Sequence, residues 1–261
     1  MRESFQFDDA TTRRLEVLYM SPDAVRRRSE VVRLLELRSA ERVLDIGCGP
    51  GFLAAELATA VGPGGSVRGI DSSEAMVQTA RLRCASQPWV SIERGDAETL
   101  AFPDAAFDVA VSVQVHEYVK EIEGALRELC RVLRPGGRAL IVDTDWDSIV
   151  WRSSDAERMA RILAAFDEHL AHPHLPRELA PLLRRAGLVP QQFEVLVQLN
   201  PMLEPNTYSY GMIDLIQRFV AGRRGVSRAE ADAWAEDLRE RGRSGEYFFS
   251  LNQYVFLATK P

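Results

Sequence analysis

The sequence predicts a doubly wound α/β protein, a mostly parallel sheet with helices on both faces, and three observations carry that expectation. Short apolar runs alternate with helical stretches of about a dozen residues, which implies right-handed βαβ units and parallel strands. The first apolar run, Val43-Leu44-Asp45-Ile46, passes directly into a turn with glycine at 47, 49 and 51. A second run ends on an acid, Asp71, twenty residues after that turn.

Taken in order, Thr12 to Leu37 has helical periodicity broken at Ser21-Pro22, so two helices precede the first strand. Phe52 to Ala60 reads as a compact helix ended by Gly62-Pro63-Gly64-Gly65. Ser66 to Asp71 is a short strand, and Glu74 to Ala85 a helix with Ser72 or Ser73 as its N-cap. Trp89 to Ile92 is a third strand, and Phe107 to Val113, more apolar, a central fourth. The helix Glu121 to Leu133 is stopped by Arg134-Pro135-Gly136-Gly137, and Arg138 to Asp143 is the fifth strand.

Beyond Asp143 the rhythm changes. A short helix, Leu179 to Ala186, is closed by Gly187 and leads into a strand from Phe193 to Gln198; the last strand is Gln253 to Ala258. More than fifty residues separate those two strands, including helices near Tyr208 to Val220 and Arg228 to Arg241, whereas a simple hairpin needs two to five. Two insertions are therefore expected, about 146 to 176 and about 199 to 250, of the kind that serve as lids or binding walls. The expected organisation is N-terminal helices over 1–40, a core from 41–145, 177–198 and 251–261, and the two helical insertions.

The chain has 261 residues, a net charge of −6, 46% hydrophobic and 27% charged residues. That balance suits a soluble globular protein and argues against nucleic acid as the main partner. The basic cluster Arg26-Arg27-Arg28 reads as solvated helix surface. No stretch approaches the ~18 apolar residues of a membrane span, and Cys48, Cys84 and Cys130 show no C-x-x-C spacing. A reduced, cytoplasmic protein is expected.

Glycine has no Cβ, so a turn this lean lets a ligand lie against bare backbone. The dinucleotide fingerprint G-x-G-x-x-G is missed by one position, and a tight βα turn without a ligand is the alternative. An acid at the tip of the second strand is placed to accept from ribose hydroxyls, which makes Asp71 a nucleoside candidate. The turn continues Phe52-Leu53-Ala54, with no cation for a phosphate.

Together, the run Val43 to Gly51, Gly69-Ile70-Asp71-Ser72-Ser73, Gly95-Asp96-Ala97-Glu98 with Phe102-Pro103 and Phe107-Asp108, and Arg131 to Gly137 resemble the motifs of class I S-adenosylmethionine-dependent methyltransferases. The nearest flavour is that of the quinone-biosynthesis and natural-product enzymes. The resemblance covers about residues 40 to 145 and a C-terminal strand pair. It implies a seven-stranded Rossmann-like sheet with the last strand antiparallel, and S-adenosylmethionine as cofactor with S-adenosylhomocysteine as product. On the matching positions, Asp45 and the backbone of Gly47, Cys48 and Gly49 would line the methionine part. Asp71 with Ser72 would hold the ribose, Met76 would pack on the adenine, and Asp96 would accept from its amino group beside Ala97. Gln114 would contact the methionine end, and Tyr19 and Arg28 would close over the cofactor or serve as core filler and surface.

Methyl transfer from a sulfonium relies mainly on placement of the nucleophile. Where a base is needed, His116 in Gln114-Val115-His116-Glu117-Tyr118 is the candidate, or else a wall of the pocket. Asp143 and Asp145, at the tip of the fifth strand, either orient His116 and grip a polar acceptor or cap the next helix. His169, His172 and His174 fit no standard zinc spacing, so no metal is expected. The aromatics Tyr208, Tyr210, Phe219, Tyr247, Phe248 and Phe249 form an acceptor pocket or the core of the second insertion. The expected partner is a small, partly apolar organic acceptor, not nucleic acid or membrane, and a homodimer stays open. The alternatives are a nucleotide-dependent oxidoreductase and a cofactor-binding protein without catalysis.

Overall fold

The computed structural model describes residues 16–261. The polar stretch Met1 to Ala10 and the start of the first helix, with Thr12 and Leu15, lie outside the described residues. Helix α1 (Pro22–Leu35) starts where the sequence breaks: Ser21 Oγ accepts from the Ala24 N–H at 3.3 Å, and Pro22 occupies the first turn, where its missing N–H costs nothing. Its buried stripe runs Ala24, Arg27, Arg28, Val31, Leu34 and Leu35, and it ends at Glu36 in a left-handed conformation.

Five parallel strands with three α-helices between them follow: β1 (Arg42–Ile46), α2 (Phe52–Val61), β2 (Ser66–Asp71), α3 (Glu74–Arg83), β3 (Val90–Arg94), β4 (Phe107–Val113), α4 (Ile122–Val132) and β5 (Leu133–Thr144). Next come a two-residue strand β6 (Val150–Trp151), α5 (Ala156–Phe166), α6 (Pro176–Arg185), β7 (Val189–Asn200), α7 (Tyr208–Val220), α8 (Arg228–Arg243) and β8 (Phe249–Thr259). The sheet order is β3-β2-β1-β4-β5-β8, with β7 on the far side of β8 and β6 on its near side. Strands β1 to β5 are mutually parallel, and β8 runs antiparallel to β5, β6 and β7. The expected sheet is thus present with one small strand more.

Two apolar clusters cover the two faces. One joins α1, α2 and α3 to the sheet through Val31, Leu35, Leu57, Val77 and Val111; the other joins α4 and α6 through Leu126, Leu129, Leu179, Ile141 and Phe256. A third cluster, with Trp146, Trp151, Phe166, Tyr208, Ile216, Trp234 and Phe249, draws on residues from both expected insertions. The two long excursions therefore pack as one aromatic-rich body over the carboxyl end of β5 rather than as separate flaps. Arg134 to Gly137 loops out of β5, since Phe107 pairs with Leu133 and Val109 already with Arg138.

Candidate active site

The site begins where β1 runs out. Gly47, Gly49 and Gly51 take φ of +67°, +52° and +82°, a region that side chains resist. A Cβ on Gly47 would stand 2.3 Å from Val115 Cγ2, whereas a Cβ on Gly49 would meet nothing within 4 Å. One glycine thus allows the loop after β4 to close on the turn, and the other leaves bare backbone at an open cleft. The turn is tied to β2 by the Cys48 N–H donating to Ile70 O at 2.9 Å.

Asp71, at the tip of β2, accepts from the Gly49 N–H through Oδ2 and from the Ser73 N–H through Oδ1, each at 2.9 Å. Ser73, not Ser72, caps α3 by accepting from the N–H of Met76, whose side chain is buried. Ser72 is exposed, its carbonyl taken by Arg94. Asp96, also exposed, follows β3 and accepts from the Glu98 N–H, with half-buried Ala97 beside it.

Asp45 is 1% exposed, and its Oδ2 has no partner among the described residues. Burial, then the neighbouring Asp71, pushes its carboxyl well above the usual carboxylate range. A carboxylate enclosed in this way needs a donor from outside the chain.

Asp45 and the glycine turn form one wall of a cleft of about 530 Å³, whose lining also includes Gln114, Tyr19, Arg27 and Arg28. Arg28 straps the opposite wall, donating to Glu56 at 2.9 Å and to the Tyr19 carbonyl at 2.5 Å. Of the basic cluster expected as solvated surface, only Arg26 is exposed; Arg27 and Arg28 are 5% and 8% exposed. The missed signal was phase, because positions 27 and 28 share the helical stripe of Ala24, Val31, Leu34 and Leu35.

Gln114 follows β4 with φ +56°, an outlier of the kind that concentrates at functional sites. Its Oε1 accepts from Arg27 at 2.7 Å and its Nε2 donates to Thr144 Oγ1 at 3.2 Å. The network continues through Gln253, which accepts from Arg27 at 3.3 Å and from Gln198 at 3.1 Å. These glutamines had no sequence signal, being isolated polar residues in apolar strands. Tyr208, from the aromatic body, is buried, which pushes its phenol up to about 12, and its N–H donates to Asp23 of α1 at 2.9 Å.

The three residues expected around the reaction have separate partners. His116 is 1% exposed, its Nδ1 lies 2.8 Å from Ser112 Oγ, and burial drops its pKa to about 4, so the ring is neutral. It does not line the cleft. Asp145 accepts the Arg177 guanidinium at 2.7 and 2.9 Å, lies 3.2 Å from His174 Nδ1 and caps the short 3₁₀ turn Trp146–Ser148. Asp143 is fully buried and accepts from the Val115 N–H at 3.2 Å. It fastens the loop after β4, and nothing in its bonding orients His116.

Glu117, by contrast, is fully buried with one oxygen engaged and the other without a partner. Burial pushes its carboxyl up to about 7, against the smaller pull of two N–H donors and Arg27. His169 stacks on Phe166 at 4.0 Å and is 5% exposed, which makes it part of the aromatic body. The ligating atoms of Asp145, Asp147 and His174 lie within 4.8 Å of one another, and Arg177 already bonds both carboxylates. Tyr208, Tyr247 and Phe249 are core, with Tyr210 and Phe248 exposed.

Comparison with known proteins agrees with this geometry. Residues 44–141 match the model of a methyltransferase domain family. The chain is 33% identical over 206 residues to a 27-O-demethylrifamycin SV methyltransferase from Amycolatopsis mediterranei, covering 75% of this chain and 66% of that one. It is 29% identical over 191 residues to a demethylmenaquinone methyltransferase from Symbiobacterium thermophilum, covering 64% and 76%. Among solved structures, phosphoethanolamine N-methyltransferase 2 from Haemonchus contortus with S-adenosyl-L-methionine superposes with a TM-score of 0.65 at 19% identity, over 98% of this chain and 58% of that one. The chain belongs to the S-adenosylmethionine-dependent methyltransferase family and is an enzyme with S-adenosylmethionine as cofactor. The oxidoreductase and non-catalytic alternatives are set aside on that ground. No helix among the described residues is long and apolar enough to cross a membrane.

Proposed function

We propose that this enzyme methylates a small, partly apolar organic acceptor of the natural-product kind, seated between the cofactor cleft and the aromatic body. The observation that carries this reading is the bonding at the end of β4: Gln114, which lines the cleft, donates to Thr144 Oγ1, and Glu117 Oε2 accepts both the Thr144 N–H and Nε1 of Trp146 in the aromatic cluster, so cofactor and acceptor walls meet there.

S-adenosylmethionine supplies a methyl group on a sulfonium that departs as a neutral thioether. The residues present fit it. Asp45 offers its unpaired oxygen to the amino group of the methionine end, and the bare backbone of Gly47, Cys48 and Gly49 lets that end lie close. Asp71, already fixed by two backbone N–H groups, presents its remaining lone pairs to the ribose hydroxyls. Met76, Asp96 and Ala97 serve the adenine, and Tyr19 and Arg28 cover it. Positioning of the nucleophile then supplies most of the rate. In this reading His116 supports the loop after β4 rather than taking a proton, because its Nδ1 is engaged with Ser112 Oγ and burial lowers its pKa to about 4, and Asp145 anchors the start of the aromatic body.

The reading is tested by incubating the protein with methyl-labelled S-adenosylmethionine and either a panel of phenols, quinols and amines or nucleic acid and protein substrates. Label in extractable small molecules is the expected result. Label confined to the macromolecules would overturn it.

A further inference from the structure

The loop after β4 holds one acidic oxygen that its bonding fixes but leaves unused. Glu117 Oε2 accepts from the Thr144 N–H at 3.1 Å and from Trp146 Nε1 at 3.2 Å. Its main-chain carbonyl accepts from the Ala171 and His172 N–H groups at 3.0 and 2.9 Å. Backbone and side chain are thus both held, and the residue is fully buried. Oε1 has no partner among the described residues. Leaving such an atom unpaired is costly, most of all when the group is charged.

The surroundings say which ligand would satisfy it. Glu117 acts electrostatically on Arg27 of α1, on Tyr19 ahead of α1, on Tyr208 of α7, on the adjacent Tyr118 and on Asp143 of β5. Tyr19 and Arg27 line the cofactor cleft, and Tyr208 belongs to the aromatic body. Its bonding sets the carboxyl between the two walls: Thr144, whose N–H bonds Oε2, accepts through Oγ1 from the cleft-lining Gln114, and Trp146, which also bonds Oε2, belongs to the aromatic body.

We propose that Glu117 is the proton acceptor of the reaction, receiving at Oε1 the proton of a hydroxyl or amine nucleophile on the acceptor. The proposal rests on the small-molecule methyltransferase reading above. The nucleophile's lone pair closes on the methyl carbon, the carbon–sulfur bonding pair returns to sulfur, and the nucleophile's proton passes to Oε1. A sulfonium, a neutral acceptor and a carboxylate become a thioether, a methylated product and a neutral carboxyl, so charge and atoms balance. With its pKa raised to about 7 by burial, the carboxyl is matched to a proton transfer near neutrality. Asp143, buried beside it and bonded to the Val115 N–H, acts as a positioning residue for the same loop.

The acceptor need not be known to test this. S-adenosylmethionine carries the sulfonium charge and S-adenosylhomocysteine does not, while the amino group that Asp45 would hold is common to both. Calorimetric titration near pH 7, in two buffers of different ionisation enthalpy, counts the protons released on binding each. The wild-type protein is expected to release more protons with S-adenosylmethionine, because the added positive charge favours the ionised carboxylate. Glu117→Gln is expected to bind both and to lose that difference. A wild-type protein that binds both with equal proton release, or a Glu117→Gln variant that keeps the difference, would overturn the proposal; failure of the wild type to bind either would instead overturn the methyltransferase reading beneath it. Unfolding of the apo-protein gives a second readout. A carboxyl whose folded pKa is raised contributes stability below its unfolded pKa of about 4.3 and loses it as pH rises through about 7. The Tm drop from pH 4.5 to 8 is therefore expected to be smaller in Glu117→Gln than in wild type.

Discussion

Burial without a partner is costly for a carboxylate, yet Asp45, Glu117 and Asp143 each keep one enclosed oxygen unpaired at the carboxyl ends of β1, β4 and β5. Their clustering at one edge of a parallel sheet is what a site built for donors brought by a ligand looks like. The glycines beside them make a paired prediction. Gly47→Ala puts a Cβ against Val115 and strains φ, so stability should fall by about 2–4 kcal/mol and cofactor affinity at least tenfold. Gly49→Ala carries only the φ strain, about 1–2 kcal/mol, while its methyl projects into the cleft, so affinity should fall with little further loss of stability. Denaturant unfolding and calorimetry on the two variants check the contrast. At this scale the sequence was legible where backbone geometry demanded a residue type, as at the glycine turn and Asp71. It was silent on Gln253 and Gln198, whose partners are distant in the chain. His116 was the base candidate because an ordinary histidine pKa suits that work, whereas burial drops this one to about 4; the adjacent Glu117, lifted by burial to about 7, carried no expectation.

Helix α1 is the element that turns a glycine loop into a closed site. Its apolar stripe packs on α2 and the sheet, and Arg27 and Arg28 on the same stripe reach the cleft. Asp23, near its start, accepts from Asn200 and from the Tyr208 N–H at 2.9 Å each, joining α1 to β7 and α7. Arg27 is buried with Nε unpaired, and burial lowers its pKa, so its charge contributes little to stability. Arg27→Leu is therefore expected to leave the Tm nearly unchanged while weakening S-adenosylmethionine binding about tenfold, since Gln114 loses its shortest bond. Thermal unfolding run beside calorimetry separates the two effects, and a large Tm loss with unchanged affinity would show the arginine to be purely structural. Element boundaries followed the sequence closely within the βα units, where each strand or helix has its own period and cap. They fell short for β5, β7 and β8, expected at six residues each and observed over Leu133–Thr144, Val189–Asn200 and Phe249–Thr259, because pairing with a neighbour extends a strand beyond its own apolar pattern.

At the scale of the whole molecule, a parallel sheet fixes where chemistry occurs and the excursions fix on what. Alternation of strands and helices made the sheet readable, and local motifs located the cofactor wall. That the two excursions share one apolar cluster was not readable, since Trp146, Phe166 and Trp151 meet Tyr208, Trp234 and Phe249 only through tertiary packing. The net charge of −6 leaves the cleft's few cations paired inward, with Arg27 on Gln114 and Arg28 on Glu56, which suits a sulfonium ligand better than a phosphate. Binding of S-adenosylmethionine in the cleft between the glycine turn and α1, with Asp45 in its wall and Asp71 bonded to Gly49 beside it, is read by isothermal calorimetry on the wild type and Asp71→Ala. Saturable one-to-one binding of S-adenosylmethionine by the wild type, weakened at least tenfold in Asp71→Ala with no response to NAD in either, is the predicted result. Equal affinity in the two proteins would contradict it.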